Sequence, residues 1–213
     1  TLPQGTLVGT DVTGMVADPD GIPNSGDEFG NEGEGVFLNG APSNFIGGSD
    51  AGAGNLIAGG GGRGLTIFGS GATGNQVQGN LIGTNILGAA ALGNGGDGVF
   101  ISSAPNNTVG GTVAGSRNVI SGNGAVGVEI YDVGATGNVI LGNFIGTNLA
   151  GNAKVKNTAD GVFKVHYTTV GADAPVHAAR VPLSTARMTC AASPRCASVM
   201  RIIRCLCASA WRR

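Results

Sequence analysis

The sequence predicts an all-β protein, a three-sided solenoid of parallel strands in which a 63-residue repeat makes two turns. Three observations lead to this fold class: the repeat itself, apolar runs too short for helices, and 41 glycines in 213 residues. Average proteins contain only about 7% glycine. A collagen helix is excluded because the glycines follow no three-residue period. Disorder is disfavoured because Val, Ile and Leu recur at regular positions and can fill a core.

The repeat is visible without gaps. Residues 34–96 align with residues 97–159, and 30 of the 63 positions are identical. "EGVFLNGAPSNFIGG" becomes "DGVFISSAPNNTVGG", and "GNQVQGNLIGTN" becomes "GNVILGNFIGTN". A further copy begins at Asp160 with "DGVF", and a leading partial copy, "LVGTD", occupies 7–11. A period of this length is the signature of a repeat architecture, so the strands must be sought inside it.

Short apolar runs closed by Gly or Asn supply the strands. They are too short for helices, and the density of Gly disfavours helices in any case. In the second copy the runs are Val99–Ile101, Thr108–Val109, Val119–Ile120, Val128–Ile130, Val139–Leu141 and Phe144–Ile145. A Gly-Val strand marks each turn at Gly98, Gly127 and Gly161, with spacings of 29 and 34 residues that sum to 63. Six strands with tight corners therefore make two turns.

Stacked turns must place like residues above like, since parallel strands lie about 4.8 Å apart. We expect an inward apolar stack of Val36, Leu65, Val99, Val128 and Val162. Sharp corners favour Gly and Asn, which tolerate positive φ, and stacked Asn side chains form amide ladders. Two such ladders are expected, one of Asn44, Asn75, Asn107 and Asn138, the other of Asn55, Asn80, Asn118 and Asn143.

The composition divides the chain after Phe163. Residues 1–163 are predicted to be the repeats, with an insertion loop at 12–33, and carry 12 acidic and 4 basic residues, a net charge of −8. Residues 164–213 form a non-repeat tail with 8 basic residues and one acidic residue, a net charge of +7. The chain begins without Met or a signal peptide, so we expect a fragment of a longer protein.

Two interpretations of the tail remain open. Residues 198–211 are apolar enough for a helix, which would serve as a poorly ordered cap of the kind solenoids need. Alternatively the tail is frameshifted and carries no evolved function, because the change falls directly after "DGVF", where the repeat requires Ile. We favour the frameshift. The four cysteines do not have the paired spacing of a zinc site; they are Cys190, Cys196, Cys205 and Cys207.

The sequence motifs of the repeat resemble those of a known group of proteins. "DGVxI", "APNNTVGG", "AGSRNVISGNG" and "GNxIxGNxIGTN" resemble the right-handed parallel β-helix repeats of the pectin-lyase-like superfamily. They are most similar to the Gly- and Asn-rich repeats of large secreted bacterial surface proteins. The resemblance covers about residues 5–163 and implies a single-stranded, right-handed parallel β-helix. The superfamily includes polysaccharide lyases, hydrolases and epimerases as well as proteins without catalysis, so the fold does not fix the function.

No catalytic residue is predicted within the repeats. A glycoside hydrolase needs two carboxyl groups roughly 5–9.5 Å apart. Glu129 should face outward between Phe100 and Phe163 of the neighbouring turns, which offer it no ionisable partner. Asp97 and Asp160 are one repeat apart, hence two turns, and are expected to be corner residues that accept backbone N–H bonds. An active site inside 34–159 is therefore not expected.

Acidic residues concentrate in and around the insertion loop. Seven of the 13 lie there, namely Asp11, Asp18, Asp20, Asp27, Glu28, Glu32 and Glu34. "DPDG" at 18–21 would suit the start of a calcium loop, because Ca²⁺ prefers carboxylate and carbonyl oxygens. The spacing matches no calcium motif, so a solvated surface loop is the favoured interpretation. No metal and no cofactor are predicted.

Three phenylalanines are the predicted ligand-binding residues. Phe37, Phe100 and Phe163 should face outward on alternate turns, separated by Thr66 and Glu129. Spaced aromatic rings can stack on sugar rings, and exposed apolar patches often mark contact sites. The alternative is that a neighbouring loop or the tail covers them.

These patterns favour a structural or adhesive module of a secreted or cell-surface protein, without catalysis of its own. Its partners would be polysaccharide or further β-helix repeats. The alternative is a fragment of a polysaccharide-acting enzyme, a lyase, epimerase or hydrolase, whose active site lies outside this segment. No run of 18 apolar residues occurs, so no membrane span is expected, and no nucleic-acid partner is expected either.

Overall fold

A computed structural model of the chain describes residues 4–18 and 29–165. These residues contain fourteen β-strands and one short 3₁₀-helix, Ala114–Ser116. The strands are β1 (Leu7–Val8), β2 (Val36–Asn39), β3 (Phe45–Gly47), β4 (Leu56–Ile57), β5 (Leu65–Phe68), β6 (Gln76–Gln78), β7 (Leu81–Ile82), β8 (Val99–Ser102), β9 (Thr108–Gly110), β10 (Val119–Ile120), β11 (Val128–Tyr131), β12 (Val139–Leu141), β13 (Phe144–Ile145) and β14 (Val162–Val165). The six runs predicted for the second copy each coincide with a strand, within one residue at the ends.

The strands form three all-parallel sheets. Sheet A has the order β1-β4-β7-β10-β13, sheet B the order β2-β5-β8-β11-β14, and sheet C the order β3-β6-β9-β12. The chain visits sheets B, C and A in turn, so β2 to β13 make four complete turns, preceded by β1 and followed by β14. The predicted three-sided solenoid, with two turns for each 63-residue repeat, is confirmed.

The interior is the apolar stack that the repeat predicts. Val36, Leu65, Val99, Val128 and Val162 are consecutive partners in the register of sheet B. The first four are buried, whereas Val162, on the terminal strand, is 50% exposed. Matching buried stacks line sheet C and sheet A; they comprise Ile46, Val77 and Val109, and Ile57, Ile82 and Ile120. Burying each such side chain contributes roughly 1.5–3 kcal/mol.

Both predicted asparagine ladders are present at the corners. The Nδ2 group of Asn75 donates to Oδ1 of Asn107 at 2.9 Å, and Nδ2 of Asn80 donates to Oδ1 of Asn118 at 3.0 Å. The backbone N–H of each asparagine also donates to the next Oδ1, as from Asn107 to Asn138 at 2.8 Å. The side chains thus satisfy backbone groups that the corners remove from water, which would otherwise be costly to bury.

A third ladder, which the sequence analysis missed, runs along the corner before sheet B. Asn94 Nδ2 donates to Asn123 Oδ1 at 2.9 Å, and Asn123 Nδ2 donates to Asn157 Oδ1 at 3.0 Å. The signal was available, because Asn94 and Asn157 are 63 residues apart. It was overlooked because glycine and other loop residues, rather than an apolar strand, follow these asparagines.

Three equivalent hairpins cover the outer side of sheet A. They are closed by backbone bonds from Asp11 to Val16 (2.8 Å), from Asn85 to Ala90 (3.0 Å) and from Asn148 to Ala153 (2.9 Å). The hairpins also join each other, through Ile86 N–H to the Gly14 carbonyl and Leu149 N–H to the Gly88 carbonyl, at 2.9 and 2.8 Å. The insertion loop therefore begins as a regular repeat hairpin. Its residues 19–28 lie outside the described part of the chain.

The last strand locates the change in composition. β14 spans Val162–Val165, so the change after Phe163 falls within a strand. Lys164 is paired in register with Ile130, at the position where the repeat has an aliphatic residue, and it is exposed. The two interpretations of the tail concern residues beyond 165, which lie outside the described part.

Candidate functional site

Sheet B carries the predicted ligand-binding residues on its outer surface. Phe37, Thr66, Phe100, Glu129 and Phe163 are consecutive partners in its register. In β2, β5, β8 and β11 the neighbours along the strand fill the core, so these side chains belong to the opposite, outward side, and the register of β11 with β14 places Phe163 on the same side. The register therefore has the predicted order, in which Thr66 and Glu129 alternate with the three phenylalanines. Phe37 is 53% exposed, and Phe100 and Phe163 are half-buried.

The rings pair diagonally rather than forming a simple stripe. Phe37 lies 6.4 Å from Phe68, between ring centroids, with an interplanar angle of 46°. Phe100 lies 6.0 Å from Tyr131 at 39°. Tilted pairs at these distances are favourable for aromatic rings. The sequence analysis missed Phe68 and Tyr131, although they too are 63 residues apart. We call these four residues and Phe163 the aromatic face.

Arg63 connects this face to a row of charges. Its guanidinium carbon lies 3.9 Å from the centroid of the Phe100 ring, a cation–π contact. Its Nε donates to Oδ2 of Asp97 at 3.0 Å, and its Nη1 lies 3.9 Å from Oε1 of Glu34. Glu34, Arg63 and Asp97 each precede a strand of sheet B by two residues, so the stacking of turns brings them into line.

Asp97 is a corner residue whose side chain accepts a backbone N–H bond, as the sequence predicted. Its Oδ1 accepts a hydrogen bond from the backbone N–H of Val126 at 3.0 Å, and its side chain is only 7% exposed. Val126 lies in the intervening turn between Asp97 and Asp160, since Gly98 N–H bonds to Val126 and Gly127 N–H bonds to Asp160. Asp97 and Asp160 are therefore not a carboxylate pair.

Glu129 departs from the prediction. Partial burial raises the pKa of Glu129, the negative charge of Asp97 and hydrogen bonding with Asp97 raise it further, and the positive charge of Arg63 opposes these effects. The expectation that Glu129 has no ionisable partner is wrong. It considered the in-register neighbours Phe100 and Phe163, whereas Asp97 approaches from the corner that leads into the neighbouring strand.

The charged residues line a shallow groove beside the aromatic face. Its volume is about 450 Å³, and its walls are the side chains of Glu34, Arg63, Asp97 and Glu129, with glycine backbone around them. We call it the charged groove. A carboxyl group whose pKa is raised by burial and by a neighbouring carboxyl group keeps its proton to a higher pH than a free one, which is the property that a proton donor needs.

The acidic residues near the insertion loop do not form a metal site in the described residues, where no group of three His, Cys, Asp or Glu side chains could hold an ion. Asp11 is already bonded: Oδ1 accepts from the N–H groups of Met15 and Val16, both at 3.1 Å, and Oδ2 accepts from the Thr13 hydroxyl at 2.6 Å. The Thr13 bond and these backbone bonds lower the pKa of Asp11. Asp20, Asp27 and Glu28 lie outside the described residues.

Comparison of the chain with protein-family models, with curated proteins and with solved structures gives no match. Within residues 4–18 and 29–165, no helix has the length and apolar character needed to cross a bilayer.

Proposed function

We propose that this chain is a structural and adhesive repeat module of a secreted or cell-surface protein, which contacts polysaccharide through its aromatic face. The observation that supports it best is the set of three asparagine ladders. A surface held by such ladders changes little in shape, and a preorganised surface loses little entropy on binding. The module is further proposed to be a right-handed, pectin-lyase-like β-helix, since parallel crossover connections are almost always right-handed.

The aromatic face suits a saccharide better than the other two sides of the solenoid. Repeat hairpins cover sheet A, as shown by the contact that a side chain on Gly14 would make with Leu56. Sheet C carries Gln76, Gln78 and Thr108 among its outward residues. Sheet B alone, of the three described sheets, carries paired aromatic rings. Sugar rings present C–H groups to such rings, and exposed apolar patches mark contact sites.

Binding measurements on a glycan panel test this proposal. The variant Phe37→Ser/Phe100→Ser/Phe163→Ser should lose saccharide binding, because it removes the rings on alternate turns. The matched control is Phe45→Ser, which removes an exposed ring from the outer side of sheet C. Unchanged binding by the triple variant would show that the aromatic face does not bind the saccharide.

Further β-helix repeats are the second proposed partner. The outer edges of β12 and β14 pair with no other strand in the described part of the chain. An open strand edge presents unpaired backbone groups to which another strand can add. The full open reading frame tests this directly, since repeat motifs that continue on either side of the segment would supply such strands.

A fragment of a polysaccharide-acting enzyme remains the alternative, and the contact of Asp97 with Glu129 favours it. Lyase, epimerase and hydrolase chemistry each requires a group that moves a proton. Activity assays on uronate polymers, with and without Ca²⁺, separate the two functions. Turnover that is lost in Glu129→Gln would support an enzyme. Binding without turnover would support the adhesive module.

A further inference from the structure

We propose that Asn39 is a site of spontaneous deamidation, and that an asparagine ladder protects the other Asn-Gly pairs of the chain from the same reaction. The three pairs are Asn39-Gly40, Asn94-Gly95 and Asn123-Gly124. Asparagine is a thermolabile residue, and a following glycine favours the reaction because it has no Cβ to hinder the attack on the asparagine side chain. All three pairs share this dipeptide, so their surroundings in the fold decide which of them reacts.

The reaction begins at the backbone nitrogen of Gly40. After this nitrogen loses its proton to hydroxide, it attacks Cγ of Asn39, since the deprotonated form is the stronger nucleophile. The N–Cγ bond forms, the Cγ–Nδ2 bond breaks, and Nδ2 takes up a proton from water and leaves as ammonia. Water then adds to one of the two carbonyl carbons of the cyclic succinimide and breaks the bond from that carbon to the ring nitrogen. Aspartate or isoaspartate remains at position 39.

The side chain of Asn39 is free to take part. It is exposed at the end of β2 and makes no hydrogen bond to another residue in the described part of the chain. A Cβ at Gly40 would have no neighbour within 4 Å, so the space around this glycine is open. The Gly40 N–H donates to the Phe68 carbonyl at 2.8 Å, and this bond must open first. Opening is favoured here because β2 is the terminal strand of sheet B as described.

The other two asparagines belong to the ladder at the corner before sheet B. Asn94 and Asn123 are 1% and 0% exposed. Nδ2 of Asn94 donates to the Ile57 carbonyl at 3.1 Å and to Oδ1 of Asn123 at 2.9 Å, and its Oδ1 accepts from the Gly60 N–H at 3.3 Å. Nδ2 of Asn123 donates to Oδ1 of Asn157 at 3.0 Å. Both ends of each amide group are therefore held, and neither side chain is free to turn toward the following glycine.

The glycines of these two pairs are confined as well. The Gly95 N–H donates to the Gly60 carbonyl at 2.7 Å, and the Gly124 N–H donates to the Asn94 carbonyl at 2.8 Å. A Cβ at Gly95 would overlap the carbonyl oxygen of Gly61, and one at Gly124 would overlap that of Gly95. Because neighbouring turns approach so closely at this corner, reaction there requires the turns to separate.

Deamidation at position 39 changes both the charge and the strand pairing at this edge of sheet B. Asn39 is in register with Phe68, so the new carboxylate lies beside a ring of the aromatic face. Isoaspartate also places Cβ in the main chain, which displaces the Gly40 N–H from the Phe68 carbonyl. The reaction needs only water and hydroxide, so it is independent of any saccharide contact.

Peptide mapping by mass spectrometry, after incubation of the full chain at mildly alkaline pH, tests the proposal. In the folded chain Asn39 should deamidate at least about tenfold faster than Asn94 or Asn123, because those two react only through larger openings. In guanidinium chloride at the same pH the three rates should agree within about twofold, because the unfolded chain retains only the shared dipeptide. Asn39→Gln is the matched control. Its longer side chain does not form the same ring, so the product at position 39 alone should be lost.

Asn157→Ala tests the protection by the ladder separately. It removes the oxygen that accepts from both the backbone N–H and Nδ2 of Asn123, each at 3.0 Å. The rate at Asn123 should rise by about tenfold, the factor that corresponds to the loss of one buried hydrogen bond. The rate at Asn39 should not change. Circular dichroism shows whether the solenoid is retained, and an unchanged rate at Asn123 would show that the ladder does not protect it.

Equal rates at the three positions of the folded chain would overturn the proposal, as would a faster reaction at Asn94 or Asn123 than at Asn39. It would also be overturned by a folded chain that keeps Asn39 intact over a period in which the unfolded chain is deamidated at that position.

Discussion

Asn75 donates from Nδ2 to Oδ1 of Asn107 at 2.9 Å, although 32 residues of chain separate the two. The backbone N–H of Asn75 donates to the same oxygen, also at 2.9 Å. Asn107 in turn donates from Nδ2 to the carbonyl of Ala72 at 2.9 Å and from its backbone to Asn138 at 2.8 Å. One residue, through its side chain and its backbone N–H, thus connects three successive turns, which makes the ladder a structural element comparable to a strand.

Replacing Asn107 by Ala should destabilise the solenoid by about 3 kcal/mol. The side chain is fully buried. Its loss leaves the backbone N–H and the Nδ2 group of Asn75, and the carbonyl group of Ala72, without this hydrogen-bond partner. Urea unfolding measures the change in free energy. Asn39→Ala, at an exposed position that closes β2, should change stability by less than about 0.5 kcal/mol. Equal effects of the two substitutions would contradict the structural role of the ladder.

Gly110 and Gly40 separate two costs of replacing glycine. Both have positive φ, 92° and 61°. A Cβ at Gly110 would overlap the carbonyl oxygen of Leu141 in the next turn, whereas one at Gly40 would meet nothing within 4 Å. Gly40→Ala should therefore cost only the backbone strain, about 1 kcal/mol. Gly110→Ala should cost about 3 kcal/mol, because overpacking adds to the strain.

Thermal or urea unfolding of both glycine variants provides the measurement. The difference between them reports how closely the turns approach each other at the sheet C corner. If Gly110→Ala were no more destabilising than Gly40→Ala, the turns would be farther apart than the structure has them.

Glu129 should make stability fall as the pH rises. Because its pKa is raised in the folded state, the folded protein keeps a proton that the unfolded chain releases above about pH 4.3. The stabilisation is complete below that pH and is lost as the pH rises through the raised pKa of Glu129. Thermal unfolding at a series of pH values should show this decline in the native chain and not in Glu129→Gln.

The comparison with Glu129→Gln isolates this one group. Asp11 acts in the opposite direction, since its lowered pKa gives a stabilisation that is lost as the pH falls. Both chains retain Asp11, so its effect cancels in the difference. A difference that is flat with pH, or that favours the native chain as the pH rises, would show that burial and Asp97 do not raise the pKa of Glu129 in solution.

Thr66→Val should increase stability by about 1 kcal/mol, because it removes a buried hydroxyl group without a partner and keeps the shape of the side chain. Thr73→Val is the control, since Thr73 is only half-buried and its hydroxyl group can reach water. A loss of stability in Thr66→Val would mean that the hydroxyl group is hydrogen-bonded.

The strands, the core stack and two ladders could be predicted from the sequence because each is a relation between equivalent positions in successive turns. Val99 stacks on Val128, and Asn80 on Asn118, for the same geometrical reason. The alignment of the two copies gives such relations directly. It also contains the pair of Asn94 and Asn157, which lie in a corner where no apolar strand follows them.

The contacts of the candidate site could not be obtained in this way, because they join positions that are not equivalent. Arg63 reaches Phe100 from a corner, and Asp97 approaches Glu129 from the neighbouring turn and from three positions away in the register. Side-chain length and direction decide such diagonal contacts. A repeat pattern specifies which residues occupy equivalent positions in successive turns. It does not specify which long side chains contact non-equivalent positions of a neighbouring turn.

Disulfide formation between neighbouring turns tests the stacking of the solenoid most directly. In a chain whose four native cysteines are replaced by serine, Thr108→Cys/Val139→Cys places two thiols on adjacent strands in register. Their Cα atoms should be about 4.8 Å apart, within the range that a disulfide spans. Gln76→Cys/Val139→Cys places them two turns apart, at about 9.6 Å, beyond that range. Rapid oxidation of the first pair and none of the second is the expected result; an unreactive first pair, or equal reaction of both, would contradict it.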